Sequence, residues 1–126
     1  VLLVPGGVVD AVRRQPEVIE WIARTSRQAR LTASVCTGAF LLADAGVVGT
    51  RTVTTHWEDL QDLRAVLPPA QVVEGPRYID HGALVTRAGI SAGLDMSLHL
   101  VGRLASLELA YATARQMDYA WSGPAA

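Results

Sequence analysis

The chain holds one cysteine, and no run of its apolar residues approaches the ~18 that a membrane-spanning helix requires. A lone cysteine closes no internal disulfide, which points to a reducing compartment. With no signal-peptide pattern at the start, the expected location is the cytoplasm, with no membrane partner. Charge is scarce too: 18% of residues are ionic and the formal net charge is −1. That leaves no basic footprint, so this segment is expected to bind no nucleic acid. Neither C-x-x-C nor H-x-x-x-H spacing occurs, which excludes a metal site built on those motifs. Ala88 to Gly93, AGISAG, has glycines but neither the spacing nor the lysine of a phosphate loop. No cofactor is expected. Repeats, low-complexity stretches and internal linkers are also missing.

Apolar residues, by contrast, are abundant, making up half of the 126. For a single domain, 1–126, this fits strands covered on both faces, or a face that meets another subunit. The first residue is Val1 rather than Met, and an apolar strand opens with nothing before it. The expectation is a longer gene product with sequence upstream of this valine. An intact transcript beginning here would remove it.

Taken in order, Val1 to Val4 suits a strand buried on both faces of a parallel sheet. Pro5-Gly6-Gly7 ends it, either as an ordinary turn or as bare backbone that a ligand can approach. Pro16 opens a helix over residues 16 to 28, with Val18, Ile19, Trp21 and Ile22 as its apolar stripe and Trp21 in the core. Leu31 to Cys36 reads as the second strand, and Thr37 to Ala45 as its helix, stopped by Gly46. Thr52 to Thr55 reads as a short strand with His56 and Trp57 at its carboxyl end, and Glu58 to Leu67 as a helix. Gln71 to Val73, Arg77 to Ile79 and Ala83 to Arg87 are further strand candidates, with Asp80-His81-Gly82 as a turn. A long, largely buried helix runs from about Leu94 to Gln116, and its glycine-bearing approach allows close packing on the strands. The alternation predicts a doubly wound, mostly parallel α/β sheet. Ligands of such sheets bind outside the carboxyl ends of the strands. Pro5-Gly6-Gly7, Cys36-Thr37, His56 and Gly89 to Gly93 all fall at that end.

Cys36 is the chemical centre of this pattern. Strand, sharp turn, reactive side chain and helix together lift a nucleophile clear of a sheet edge. A thiol in the first helical turn faces unpaired backbone N–H groups that favour the thiolate. The alternative is a small buried hydrophobe. Thr37 either positions substrate or water, or caps the helix. His56 either moves protons or fixes a strand end, and Trp57 either meets substrate or covers the core. His81 reads as solvated, His99 as a core or interface histidine, and Asp80 and Asp95 as turn and helix-start residues.

VPGG, SVCTGAFLLADAGVVGTRTVTTHW and VTRAGISAGLDMSLHLV together resemble the ThiJ/PfpI superfamily, across nearly the whole chain. Isonitrile hydratases and the sensor domains of some AraC-type regulators have the nearest pattern. The resemblance implies a flavodoxin-like, class I glutamine-amidotransferase-like fold that lacks its N-terminal strand-helix portion here. It implies Cys36, Thr37 and His56 as catalytic residues, and Gly6, Gly7 and Trp57 as substrate- and oxyanion-binding ones. Threonine at 37, where the protease-like branch has histidine, argues against peptidase activity. The family's carboxylate next to the thiol lies upstream of this segment. The implied function is hydration of a small molecule, isonitrile to N-formamide, by a homodimer. The alternatives are ligand sensing in a regulator, and glyoxalase or oxidation-sensing chemistry on the same thiol.

Overall fold

In a computed structural model the described residues are 1–89 and 91–124. They contain four strands and six α-helices, in two compact units, Val1–Ile90 and Ser91–Ala126. Ile90, within the AGISAG stretch, and the last two alanines lie outside the described residues.

The first unit is built on a sheet of order β1-β2-β4-β3. Strand β1 (Leu2–Val4) pairs parallel with β2 (Thr32–Ser34), and β2 pairs parallel with β4 (Leu84–Arg87). Strand β3 (Tyr78–Asp80) closes the edge antiparallel to β4. The sheet is therefore mostly parallel and the architecture mixed α/β, as the alternation of elements implies. Both central strands are buried along their whole length. The edge strand β1 is not. Leu3 is 54% exposed between buried Leu2 and Val4, which corrects the expectation of a strand covered on both faces. Successive residues of a strand face opposite ways, and one face of β1 is covered by little among the described residues.

Around the sheet lie α1 (Asp10–Arg13), α2 (Pro16–Gln28), α3 (Gly38–Asp44) and α4 (Leu60–Arg64). The second helix has the predicted bounds, with proline in its first turn where no amide partner is required. Only Ile22 of its stripe is fully buried, and Trp21 is 50% exposed, so that tryptophan is not a core residue. The third helix stops where its chain favours stopping. Gly46 takes a φ of 73°, its N–H donates to the Ala43 carbonyl, and the Val47 N–H donates to that of Leu42. These are the two bonds of a Schellman cap, and glycine meets no steric penalty at its left-handed position. Phe40, Leu41 and Leu42 of α3 pack into one cluster with Leu2, Val4, Leu60, Leu63 and Leu84. Each fully buried aliphatic side chain of this kind contributes about 1.5–3 kcal/mol.

The Thr52–Thr55 segment does not form a strand. Its only ladder contact is a parallel bridge between Val53 and Val72, and the Gln71–Val73 candidate likewise reduces to that bridge. Asp80-His81-Gly82 does form the predicted turn. The Gly82 N–H donates to Asp80 Oδ1 at 2.7 Å, and Gly82 sits at φ 81°.

The second unit corrects the long helix. The chain breaks at Ala105-Ser106 into α5 (Ala92–Leu104) and α6 (Leu107–Gln116). Ser106 is extended, and its hydroxyl accepts the Leu109 N–H at 3.0 Å, a side-chain cap that starts a new helix. The two helices fold onto each other where Gly102 leaves room: a Cβ there would come within 3.0 Å of Leu107. Leu98, Ala110, Ala114 and Trp121 form the core of this unit, and His99 is buried on α5. Asp95 lies in the first turn of α5 and accepts a hydrogen bond from the Tyr119 hydroxyl at 2.7 Å. Among the described residues no helix is long and apolar enough to cross a membrane.

Candidate active site

The parallel strands β1 and β2 end side by side, and each turns sharply at its carboxyl end. At the end of β2 the turn is made by Cys36 itself, which takes a φ of +54°. A non-glycine residue in the left-handed region stores about 1–2 kcal/mol of backbone strain. The strain is held by its surroundings. The Thr55 hydroxyl donates to the Cys36 carbonyl at 2.8 Å, and the Gly38 N–H closes the turn onto the Val35 carbonyl at 2.9 Å. Cys36 is half-buried and its thiol is free.

At the end of β1, Gly6 packs directly on this turn. A Cβ at Gly6 would lie 2.7 Å from the Val35 carbonyl oxygen, 2.9 Å from the Thr37 nitrogen and 3.0 Å from Cys36 Cβ. Gly38 is equally constrained from the other side, by the carbonyl oxygens of Val4 and Pro5. Glycine at both positions is what lets the two turns approach this closely. Among the described residues, the N–H groups of Gly6 and Thr37 donate to no acceptor.

Gly7 and Thr37 differ from expectation. Thr37 Oγ1 accepts the Gly7 N–H at 2.9 Å and donates to the Gly7 carbonyl at 2.7 Å. The Gly7 amide is therefore occupied and drops out as an oxyanion donor. The same pair of bonds replaces the helix cap considered for Thr37, whose side chain makes no capping bond to α3. A hydroxyl has one proton, and this one is spent on Gly7, so towards a substrate Thr37 has only acceptor capacity left. Thr37 and Gly7 border a cavity of about 390 Å³ whose other walls include Asp10, Arg13, Phe40, Asp59 and Asp62.

His56 follows Thr55 and so stands next to the elbow in the chain, with a side chain 16% exposed. Its ring is turned towards its own segment. Nδ1 accepts the Glu58 N–H at 3.3 Å and lies 3.8 Å from Asp59 Oδ2. Of the two readings of His56, the hydrogen-bonded residue that fixes a chain end matches this geometry. Trp57 is 71% exposed, which removes its reading as a core cover. His81 is exposed but not merely solvated, since its Nε2 lies 2.7 Å from Thr52 Oγ1. An added Cβ at Gly89 would meet nothing within 4 Å, so close packing does not explain that glycine. No group of three or more His, Cys, Asp or Glu side chains among the described residues is arranged to hold a metal ion.

Two residues that sequence reasoning passed over belong to this site. Thr55 is one, through its bond to the elbow. Arg87 is the other: it ends β4, is only 9% exposed, and directs Nη1 at the Gly89 carbonyl. Burial pushes its guanidinium down from the usual arginine range, and the charge of Cys36 pulls it back up. The available signal was an arginine closing an otherwise apolar strand, Leu84 to Arg87.

These features define a class: α/β domains that present a cysteine on a strained strand-to-helix turn. The DJ-1/PfpI family profile matches residues 1–103, and the chain belongs to that family. It is 34% identical to an isonitrile hydratase of Pseudomonas putida over 98% of this chain and 54% of that protein. It is 31% identical to the HTH-type transcriptional regulator GbdR of Pseudomonas aeruginosa over 94% of this chain and 32% of that one. Among solved structures, a ThiJ/PfpI family protein from Pseudomonas syringae superposes with a TM-score of 0.77 at 25% identity, covering 91% of this chain and 46% of that one. The chain therefore spans about half the length of the hydratase and a third of the regulator.

Proposed function

We propose that this domain carries a cysteine-dependent hydration of a small electrophilic molecule, isonitrile to N-formamide. The observation that supports it is the elbow, where a strained Cys36 stands beside two undonated amides, Gly6 N–H and Thr37 N–H. In this reading the Cys36 sulfur attacks the terminal carbon, the S–C bond forms, and that carbon takes a proton to give a thioimidate. Water then adds to the same carbon, the nitrogen takes a proton, and the S–C bond breaks to release the N-formamide and the thiol. Negative charge developing in either step faces the Gly6 and Thr37 amides, each worth about 3 kcal/mol when well aimed. Thr37 accepts a hydrogen bond from the incoming water. The proton carrier is a carboxylate from outside this segment, or His56 after its ring leaves Glu58. Trp57, exposed beside His56, covers bound substrate.

The test is turnover of an alkyl isonitrile by the full-length protein, followed as N-formamide released. Cys36→Ala is expected to abolish it without loss of fold; undiminished hydration by that variant overturns the reading. A second reading has specific support, because a transcriptional regulator carries a similar stretch over 94% of this chain. There the same elbow senses a small molecule without turning it over. Saturable ligand binding with no product, in a protein that carries a DNA-binding module, would establish the sensor instead. Glyoxalase activity and oxidation sensing share the same thiol, and turnover of aldehydes or of peroxide by the protein separates them. In each case we propose a homodimer.

A further inference from the structure

We propose that a cavity at the amino ends of the parallel strands, the end away from Cys36, binds the phosphate group of a small phosphorylated molecule. Strand β2 begins there at Thr32 and runs parallel to β1 and β4, so the elbow lies at its other end. The cavity holds about 320 Å³, and its walls include Arg27, Thr32, Gly46, Arg51 and Ala83. No carboxylate lines it. Arg51 is fixed in place: Nη2 donates to the Val47 carbonyl at 2.7 Å and Nε to that of Val48 at 3.3 Å. Both acceptors are neutral, so the guanidinium keeps its charge and has N–H groups to spare. Arg27 lies in the last turn of α2, and its side chain makes no hydrogen bond or ion pair among the described residues. Thr32 is only 3% exposed, and its hydroxyl has no partner there either. Buried hydroxyls are nearly always paired, so one left over on a cavity wall is a donor without its acceptor. Ser26 also borders the cavity, but its proton goes to the Ala23 carbonyl and is not available to an anion. The carboxyl ends of α2 and α3 face the same space, each with about half a negative charge. Two whole positive charges outweigh them. Planar guanidiniums grip oxyanions, and a phosphate monoester with its second negative charge answers two arginines better than a carboxylate does. A cavity of this volume has room for a few carbons beyond the phosphate.

Calorimetric titration of the full-length protein at low salt tests this, with inorganic phosphate and glycerol phosphate as probes at about pH 8, where both are dianions. Both are expected to bind saturably, and acetate at least about fivefold more weakly. Arg27→Gln is expected to weaken phosphate binding about fivefold or more. Arg24→Gln removes the same charge from the same helix outside the cavity, and is expected to change the affinity less than about twofold. Absence of saturable phosphate binding overturns the proposal, and so does acetate binding as tightly. Unchanged affinity in Arg27→Gln overturns it too, as does an equal loss in Arg24→Gln, which would make the effect one of general charge. Circular dichroism establishes that both variants are folded. Should Arg27→Gln not fold, the unsubstituted protein still decides by NMR. Phosphate is expected to shift the amide resonances of Gly46 and Ala83, and a titration that leaves those two unmoved overturns the proposal. None of these measurements involves turnover, so failure of the hydratase reading leaves them standing.

Discussion

Cys36 pays for its position with backbone strain, and strain of this kind is measurable. Cys36→Gly removes the left-handed penalty along with the thiol, and is expected to raise unfolding free energy by about 1 kcal/mol relative to Cys36→Ala. Urea titration of the two variants checks this, and equal midpoints would mean that the turn is not strained. Gly6 makes the complementary case. An alanine there places a Cβ 2.7 Å from the Val35 carbonyl oxygen, and backbone cannot give way as a side-chain tip does. Gly6→Ala is expected to cost about 1–3 kcal/mol and to lower the alkylation rate of Cys36 by shifting the elbow. Cys36 was legible in the sequence because a lone thiol between an apolar run and a helix is a local pattern. The bond partner of Thr37 was not legible. A threonine before a helix signals a cap, and only the approach of Gly7, 30 residues away, offered it better partners.

At the scale of elements, the informative errors are the leucine-rich α5–α6 segment and the Thr52–Thr55 strand. Leucine spacing persists across Ala105-Ser106, so periodicity alone reads one helix. Ser106 followed by Glu108 was the signal against it, since both favour a new amino-terminal turn. Ser106→Ala is expected to cost about 1 kcal/mol, read from thermal or urea unfolding, because the Leu109 N–H loses its acceptor. The threonines fail as a strand for another reason. Their polar groups are used across the fold, with the Thr54 N–H on Thr86 Oγ1 at 3.0 Å and the Thr55 hydroxyl on Cys36. Composition identified extended chain there, and long-range bonding removed the ladder.

Across the first unit, α1 is fastened to the end of α3 by Arg13 and Asp44. Nε and Nη2 of Arg13 donate to the two carboxylate oxygens at 2.7 and 3.1 Å, and the guanidinium lies 5.1 Å from the Phe40 ring centre. The hydrogen bond to Asp44 raises the Arg13 guanidinium above its ordinary range. For a base, a raised folded-state value means stability that is complete below the unfolded value and lost only as pH climbs through the folded one. Arg13→Met is therefore expected to cost about 1 kcal/mol, by a margin unchanged between about pH 7 and 10. Urea titrations at both ends of that range check it. The proposed homodimer belongs to the same scale, and sedimentation at monomer mass would exclude it.

What the sequence determined by itself was the local order: strands before glycine turns, helices between caps, a cysteine on the turn that joins them. Those features depend on neighbours within about four residues, and that is the range over which propensity and capping act. The site's convergence was decided only by tertiary structure. Thr37 bonds across 30 residues to Gly7 and Thr55 across 19 to the elbow, while His56 stays with Glu58. Register between the parallel strands β1 and β2 sets the first of those pairings, and no residue in either strand encodes the register alone.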